Sequence, residues 1–204
     1  MSFETAITGI VQQATGRAAK LVTMYEAGDI GLQLFLDSMG QLVDQARAQG
    51  SAKAVQILRA YVESALDTPV VISPSIPAAD FQRLTQALTT ILGSDQDTLM
   101  QVERLIRGET TKAARDAYGD SMKNIPEVEG WVRGLDSGAC ELCRWWWREG
   151  RVFRPEHRMP THTGCLCHPV PTVRKTRNFQ TDRQADRAAA MNRQRAEARA
   201  AKED

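Results

Sequence analysis

"SGACELCRWWWREG" (residues 137–150) and "HTGCLCHPVP" (residues 162–171) decide how the C-terminal half of this chain folds. Between them they hold all four cysteines, Cys140, Cys143, Cys165 and Cys167, and two of the three histidines, His162 and His168. The pattern is Cys-x-x-Cys, then twenty-one residues, then Cys-x-Cys, with His162 three places before Cys165. A Cys-x-x-Cys at a helix start brings two sulfurs together. A Cys-x-Cys in an extended piece puts both side chains on one face, because strand side chains alternate. Two such knuckles joined by a loop supply the convergent ligands that zinc needs at about 2.0–2.3 Å. Five candidates, Cys140, Cys143, His162, Cys165 and Cys167, compete for four places around one structural zinc ion. Two disulfides, or ordinary buried thiols, are the alternatives. A catalytic zinc would keep a position open for water beside a general base, whereas this spacing offers a closed set. His157 and His168 read as polar surface residues.

Three consecutive tryptophans, Trp145, Trp146 and Trp147, follow the first knuckle. At about 100° per residue three adjacent rings cannot share one helix face. A helix begun at Cys140 places Trp147 between the two cysteines and Trp146 at their flank, so both are expected to pack over the metal knuckle. Trp145 points away, towards the helical domain, the tail or another protein. Tryptophan is enriched where interfaces are strongest, so all three are candidate interface residues.

Around these motifs, residues 120–173 are rich in Gly, Pro and short β-prone pieces such as "GRVFRP" and "CLCHPVPTV". They read as a small α+β module. A module of that size is too short to rely on its own apolar core, and a metal staple is a usual remedy.

The preceding part, 1–119, reads as a helical domain. Phe3, Ile7, Ile10, Val11, Ala14, Ala18, Leu21 and Val22 fall at three- and four-residue intervals after a candidate N-cap, Ser2. A break is expected at "AGDIG" (27–31). A second stripe, Leu32, Phe35, Leu36, Met39, Leu42, Val43 and Ala46, is expected to stop at Gly50. Ser51 is expected to cap a third, with Val55, Leu58, Val62 and Ala65 inward. "DTPVVISPSIPAAD" (67–80) reads as a linker or an extended arm over the bundle. Helix returns at about 79–92 (Phe81, Leu84, Leu88, Ile91) and about 96–119 (Leu99, Val102, Leu105, Ile106, Ala113, Ala117). The fold class is therefore mainly α: an N-terminal helical bundle, a zinc-stapled α+β module and a charged tail at 174–204.

Charge is unevenly spread. Residues 1–100 carry 6 basic and 10 acidic side chains, and residues 101–204 carry 20 and 15. The tail alone has 9 basic and 5 acidic residues and almost no large apolar groups, as in a solvated helix or a segment that orders on a partner. No run of eighteen apolar residues occurs, which argues against a membrane span or a secretory signal. A reducing compartment is expected, where cysteines serve as thiolate ligands more often than as disulfides.

The run "GWVRGLDSGACELCRWWWREGRVF" with "HTGCLCHPVP" resembles the C-terminal module of Mu F-like head morphogenesis proteins, minor capsid proteins of tailed phages. The shared elements are Cys140, Cys143, Gly150, His162, Cys165, Cys167 and Pro169. "GWVR" (Gly130 to Arg133) and the long helical region suit the versions found in phages of actinobacteria. The likeness covers roughly residues 125–171. It implies a virion component of low copy number, made in the host cytoplasm and placed on the inner side of the head near the portal. Its role would be in head assembly or in genome packaging and ejection. The implied partners are the portal or other head proteins, and packaged double-stranded DNA along the basic tail. Some relatives are labelled capsid maturation proteases, so the alternative is a protease or metal-dependent enzyme of the head. This chain has no G-x-S-x-G elbow, and any serine–histidine or cysteine–histidine pair would have to borrow a metal ligand. No catalytic residue is assigned. The tryptophan run and His168 depart from the family pattern.

Overall fold

The computed structural model describes residues 2–74, 78 and 80–174, so all but Arg174 of the tail expected at 174–204 lies outside the described residues. Four long helices come first: α1 (Phe3–Glu26), α2 (Leu32–Leu66), α3 (Phe81–Leu92) and α4 (Thr98–Met122). Strand β1 (Val128–Gly134), helix α5 (Glu141–Trp147), a 3-10 turn at Arg148–Gly150 and strand β2 (His168–Val173) complete the described chain.

Local chemistry sets most of the helix ends. Ser2 accepts a hydrogen bond from the Thr5 N–H at 3.1 Å. Asp80 and Asp97 do the same for Arg83 and Met100 at the heads of α3 and α4. Such caps satisfy N–H groups that have no partner within the helix. The break at "AGDIG" turns at Gly28, whose φ of 78° is the left-handed region that glycine enters at little cost.

One expectation fails here. Gly50 and Ser51 neither end a helix nor start one, because α2 runs unbroken through both. A Cβ on Gly50 would lie 3.0 Å from Thr110 Cγ2 and 3.2 Å from the Thr110 carbonyl oxygen. The glycine therefore lets the α2 and α4 backbones approach closely. That packing offsets a helix-propensity cost of about 1 kcal/mol. The expected stripes are otherwise inward, with Phe35, Met39, Val43, Leu58, Val62, Leu84, Leu88, Val102 and Ile106 fully buried. Leu32 and Phe81, each the first residue of its helix, are instead half exposed.

Glu109 of α4 ties α2 and α3 to its own helix. Arg83 donates both terminal nitrogens to its carboxylate, at 2.9 and 2.6 Å, and Arg47 approaches at 3.6 Å. Arg47 also donates to the carbonyl of Ala78, which fixes the connection between α2 and α3. Val70 and Ile72 of that connection pack on the core, as an arm over the bundle would.

The strands pair antiparallel from Val128 with Val173 to Gly134 with His168, and Trp131 forms a bridge with Phe153. Gly130 makes room for this bridge, since a Cβ there would sit 2.8 Å from Val152 Cγ1. Residues 1–119 and 120–173 are not separated by a gap in packing: everything up to Arg174 forms one compact unit. Trp131, Val128 and Ile125 belong to the same apolar core as Phe3, Tyr118 and Met122. The α+β segment thus borrows a core from the helices, which is how so short a stretch buries a tryptophan to 1% exposure.

Candidate metal centre

Three pieces of chain bring the sulfur ligands together. Cys140 is the N-cap of α5 with an extended backbone, and Cys143 lies in the first turn, so their side chains meet at the helix start. Gly164, with φ 80°, turns the chain between His162 and Cys165. Cys165 and Cys167 then alternate with Leu166 on the way into β2, so both sulfurs point inward.

His162 Nε2 lies 3.2 Å from Cys140 Sγ and 3.1 Å from Cys143 Sγ. Cys143 Sγ lies 3.4 Å from Cys165 Sγ. The donors form two overlapping triads, Cys140–Cys143–His162 and Cys143–Cys165–Cys167, each with ligand atoms within 4.8 Å of one another. Cys143 belongs to both. The cluster could therefore hold a metal ion at the place where the sequence pattern put it. All four cysteines are free, so the two-disulfide alternative is not what this structure contains.

The surroundings orient these donors. His162 Nδ1 is 3.0 Å from the Thr163 carbonyl. A proton on Nδ1 satisfies that oxygen and leaves the Nε2 lone pair aimed at the sulfurs, the usual support for a ligating histidine. Asp136 accepts from the Leu166 N–H at 2.7 Å, and its own N–H donates to Cys167 Sγ at 3.5 Å. Arg115 of α4 donates to the Cys165 carbonyl at 2.8 Å. Arg133, 2% exposed, points Nη1 at Cys143 Sγ, donates Nη2 to the Pro160 carbonyl and lies over the Trp146 ring.

Packed thiols resist ionising side by side. Burial pushes the Cys143 thiol up to about 11. The hydrogen bond between Cys165 and Cys167 lowers the first and, with burial, raises the second. Three buried sulfurs in contact can all be thiolates only if a cation compensates their charge.

Sequence reasoning missed Asp136, Arg115 and Arg133. Arg133 had a signal: it lies two residues from Trp131 on a strand, hence on the same buried face. Asp136 occupies a turn just before the first knuckle, where a short acidic side chain commonly bonds nearby N–H groups. Arg115 had none, since its partner is 50 residues away.

The tryptophans need one correction. Trp146, not Trp147, covers the cluster: its ring lies 6.2 Å from that of His162 and beneath Arg133. Trp147 is 38% exposed. Cys140 is the cap rather than a helical residue, so a wheel started there misplaces the later positions, and Trp146 stands one turn after Cys143. Trp145 points away as expected and is 63% exposed, with Arg148 over its ring at 5.0 Å. His157 is exposed, as expected. His168 is not a polar surface residue: it stacks on Phe3 with ring centroids 4.4 Å apart and meets Tyr118 edge-on.

A groove of about 750 Å³ runs between α4 and the 155–164 loop, beside His162. Lys112–Asp116 and Lys123–Asp120 ion pairs, both at 2.6 Å, neutralise much of its α4 wall. Comparison with protein-family models, curated proteins and solved structures finds no match to this chain.

Proposed function

We propose that the cluster holds one structural zinc ion and that the chain is a non-enzymatic assembly component, a minor capsid or head morphogenesis protein of a tailed phage. The observation that carries the metal reading is the meeting of two donor triads at Cys143: Cys140–Cys143–His162 and Cys143–Cys165–Cys167. Tetrahedral ligands at zinc distances stand about 3.3–3.8 Å apart. The 3.1–3.4 Å separations here lie within a few tenths of that range. Zinc bound by thiolates and an imidazole would supply folding free energy and no chemistry, because such a set leaves no place for a reacting water.

The phage reading rests on the likeness of Cys140, Cys143, Gly150, His162, Cys165, Cys167 and Pro169 to the Mu F-like pattern. On this reading the helical region docks to the portal or another head protein and the metal-held segment presents a rigid surface. The basic tail lies along packaged DNA through sequence-independent phosphate contacts. The protein acts on the inner side of the head, near the portal, in few copies.

Native mass spectrometry with metal analysis tests the first half: one zinc per chain with four unoxidised cysteines is expected, and a metal-free folded chain overturns it. Proteomics of gradient-purified phage particles tests the second. The chain is expected in DNA-filled heads at a small fraction of the major capsid protein, and its absence from particles sinks the assignment.

A further inference from the structure

Among the described residues, two groups of exposed apolar side chains lie far apart amid charges of opposite sign. The first is on and around α5. Trp145 is 63% exposed, Leu142 44% and Val152 56%. Leu142 and Trp145 are three residues apart and share the outer face of the helix. Between Cys140 and Arg154 the chain has Arg144, Arg148, Arg151 and Arg154, all exposed, against Glu141 and Glu149.

The second patch is the turn between α1 and α2, where Met24, Leu32 and Leu34 are 40%, 49% and 55% exposed. Its acids, Glu26, Asp29 and Asp37, are exposed, and no Lys or Arg occurs between Leu21 and Ala46.

Helix α1 sets the distance between them. Its first turn touches the α5 side of the molecule, because Glu4 accepts hydrogen bonds from the backbone and hydroxyl of Ser137. Its last residue is Glu26, and the helix is 24 residues long, so the acidic turn lies about 36 Å along the helix axis. One patch cannot fold back onto the other within a rigid unit of this kind.

We propose that these patches bind each other between copies: the arginine-rimmed Trp145 face of one chain docks on the acidic α1–α2 turn of the next. Each sets exposed apolar side chains among charged ones, and the charges are opposite in sign, the arrangement that steers and orients protein association. Because the two surfaces differ and lie at separate ends, the contact is heterologous. It propagates head to tail, into a ring where the rotation closes. The tail of the same chain is a poor occupant for the Trp145 face, since it too is basic. The inference needs only a folded α5 region and is independent of the phage assignment.

Sedimentation velocity of the full chain, with zinc content measured on the same samples, provides the test. Concentration-dependent association that weakens with added salt is expected, and Trp145→Ala should weaken it roughly tenfold or more. The decisive arm is a charge swap. An R144E/R148E chain and an E26R/D29R chain should each stay monomeric, since each sets like charges against like. Their mixture should associate, because each restores opposite signs for the other. A parent chain that stays monomeric at low salt overturns the proposal. So does association that survives either charge reversal, or a mixture that remains monomeric with metal content intact. If a charge-reversed chain loses zinc, the Trp145→Ala chain decides, since its ring points away from the cluster: undiminished association in it overturns the proposal.

Discussion

The ring of Phe3, at the start of the first helix, lies stacked on the ring of His168, at the start of the last strand, with 4.4 Å between centroids and 16° between planes. Tyr118 closes on both, at 5.8 and 5.7 Å. The Cys/His cluster, one residue away at Cys167, is thus joined to the helical core through aromatic packing as well as through backbone.

Removing the metal should therefore be felt beyond the cluster. With a chelator, amide exchange is expected to accelerate across 128–173 and in the first turn of α1, while the centres of α2 and α4 stay protected. Exchange measured by mass spectrometry gives the answer. Uniform loss across all four long helices, or none anywhere, contradicts the proposed division of labour.

Cys143 belongs to both triads, whereas Cys140 is exposed at the rim. Cys143→Ser should abolish stoichiometric zinc binding, and Trp145→Ala should leave it intact and shift stability by no more than about 0.5 kcal/mol. Metal analysis and chemical denaturation of the two proteins check both statements.

Gly50→Val should destabilise the chain by about 2 kcal/mol, because a branched side chain there meets Thr110, including its backbone oxygen, which has little freedom to retreat. Urea titration measures it. If valine were tolerated, the close α2–α4 approach would not be the reason the helix keeps a glycine.

Glu109→Ala should cost about 3 kcal/mol, since it leaves the buried Arg47 guanidinium with only the more exposed Asp44 carboxylate, 3.6 Å away. Arg83→Ala should cost far less, about 1 kcal/mol, because Arg83 is half exposed and water replaces its partner. Comparable losses in the two variants would contradict the view that burial of Arg47 dominates.

His168 gives a pH dependence with a definite sign. Burial lowers its imidazole from 6.5 to about 4, and Nδ1 is enclosed without a partner. The unfolded chain therefore binds this proton more readily than the folded one. Stability from His168 is present above pH 6.5 and is lost as the pH falls towards 4, by up to about 3 kcal/mol. His168→Gln should flatten that portion of the stability curve. The difference between variant and parent isolates this group from acid release of metal, and identical curves would show that His168 does not titrate in this way.

Much of this architecture was legible from periodicity. The stripes in α1, α3 and α4 and the clustering of Cys140, Cys143, His162, Cys165 and Cys167 come from local spacing, which sequence records directly. What stayed hidden was set by distant partners. Gly50 reads as a helix end until Thr110 is placed against it, and His168 reads as surface until Phe3 arrives. Trp146 packs on the cluster as expected but Trp147 does not, because the capping geometry of Cys140 shifts the phase of a seven-residue helix. Spacing likewise gives no hint that the α+β segment shares its core with the helices.

The bond from Ser137 to Glu4 spans 133 positions, and the stack on Phe3 reaches further still. During synthesis, Tyr118 can cover the opening turn of α1 once α4 has emerged, but the stack on His168 must wait until the ribosome has delivered β2. Closure of the Cys/His segment and completion of that first turn's cover are then linked late steps, and a nascent chain halted before Cys165 would leave the His168 side of Phe3 open.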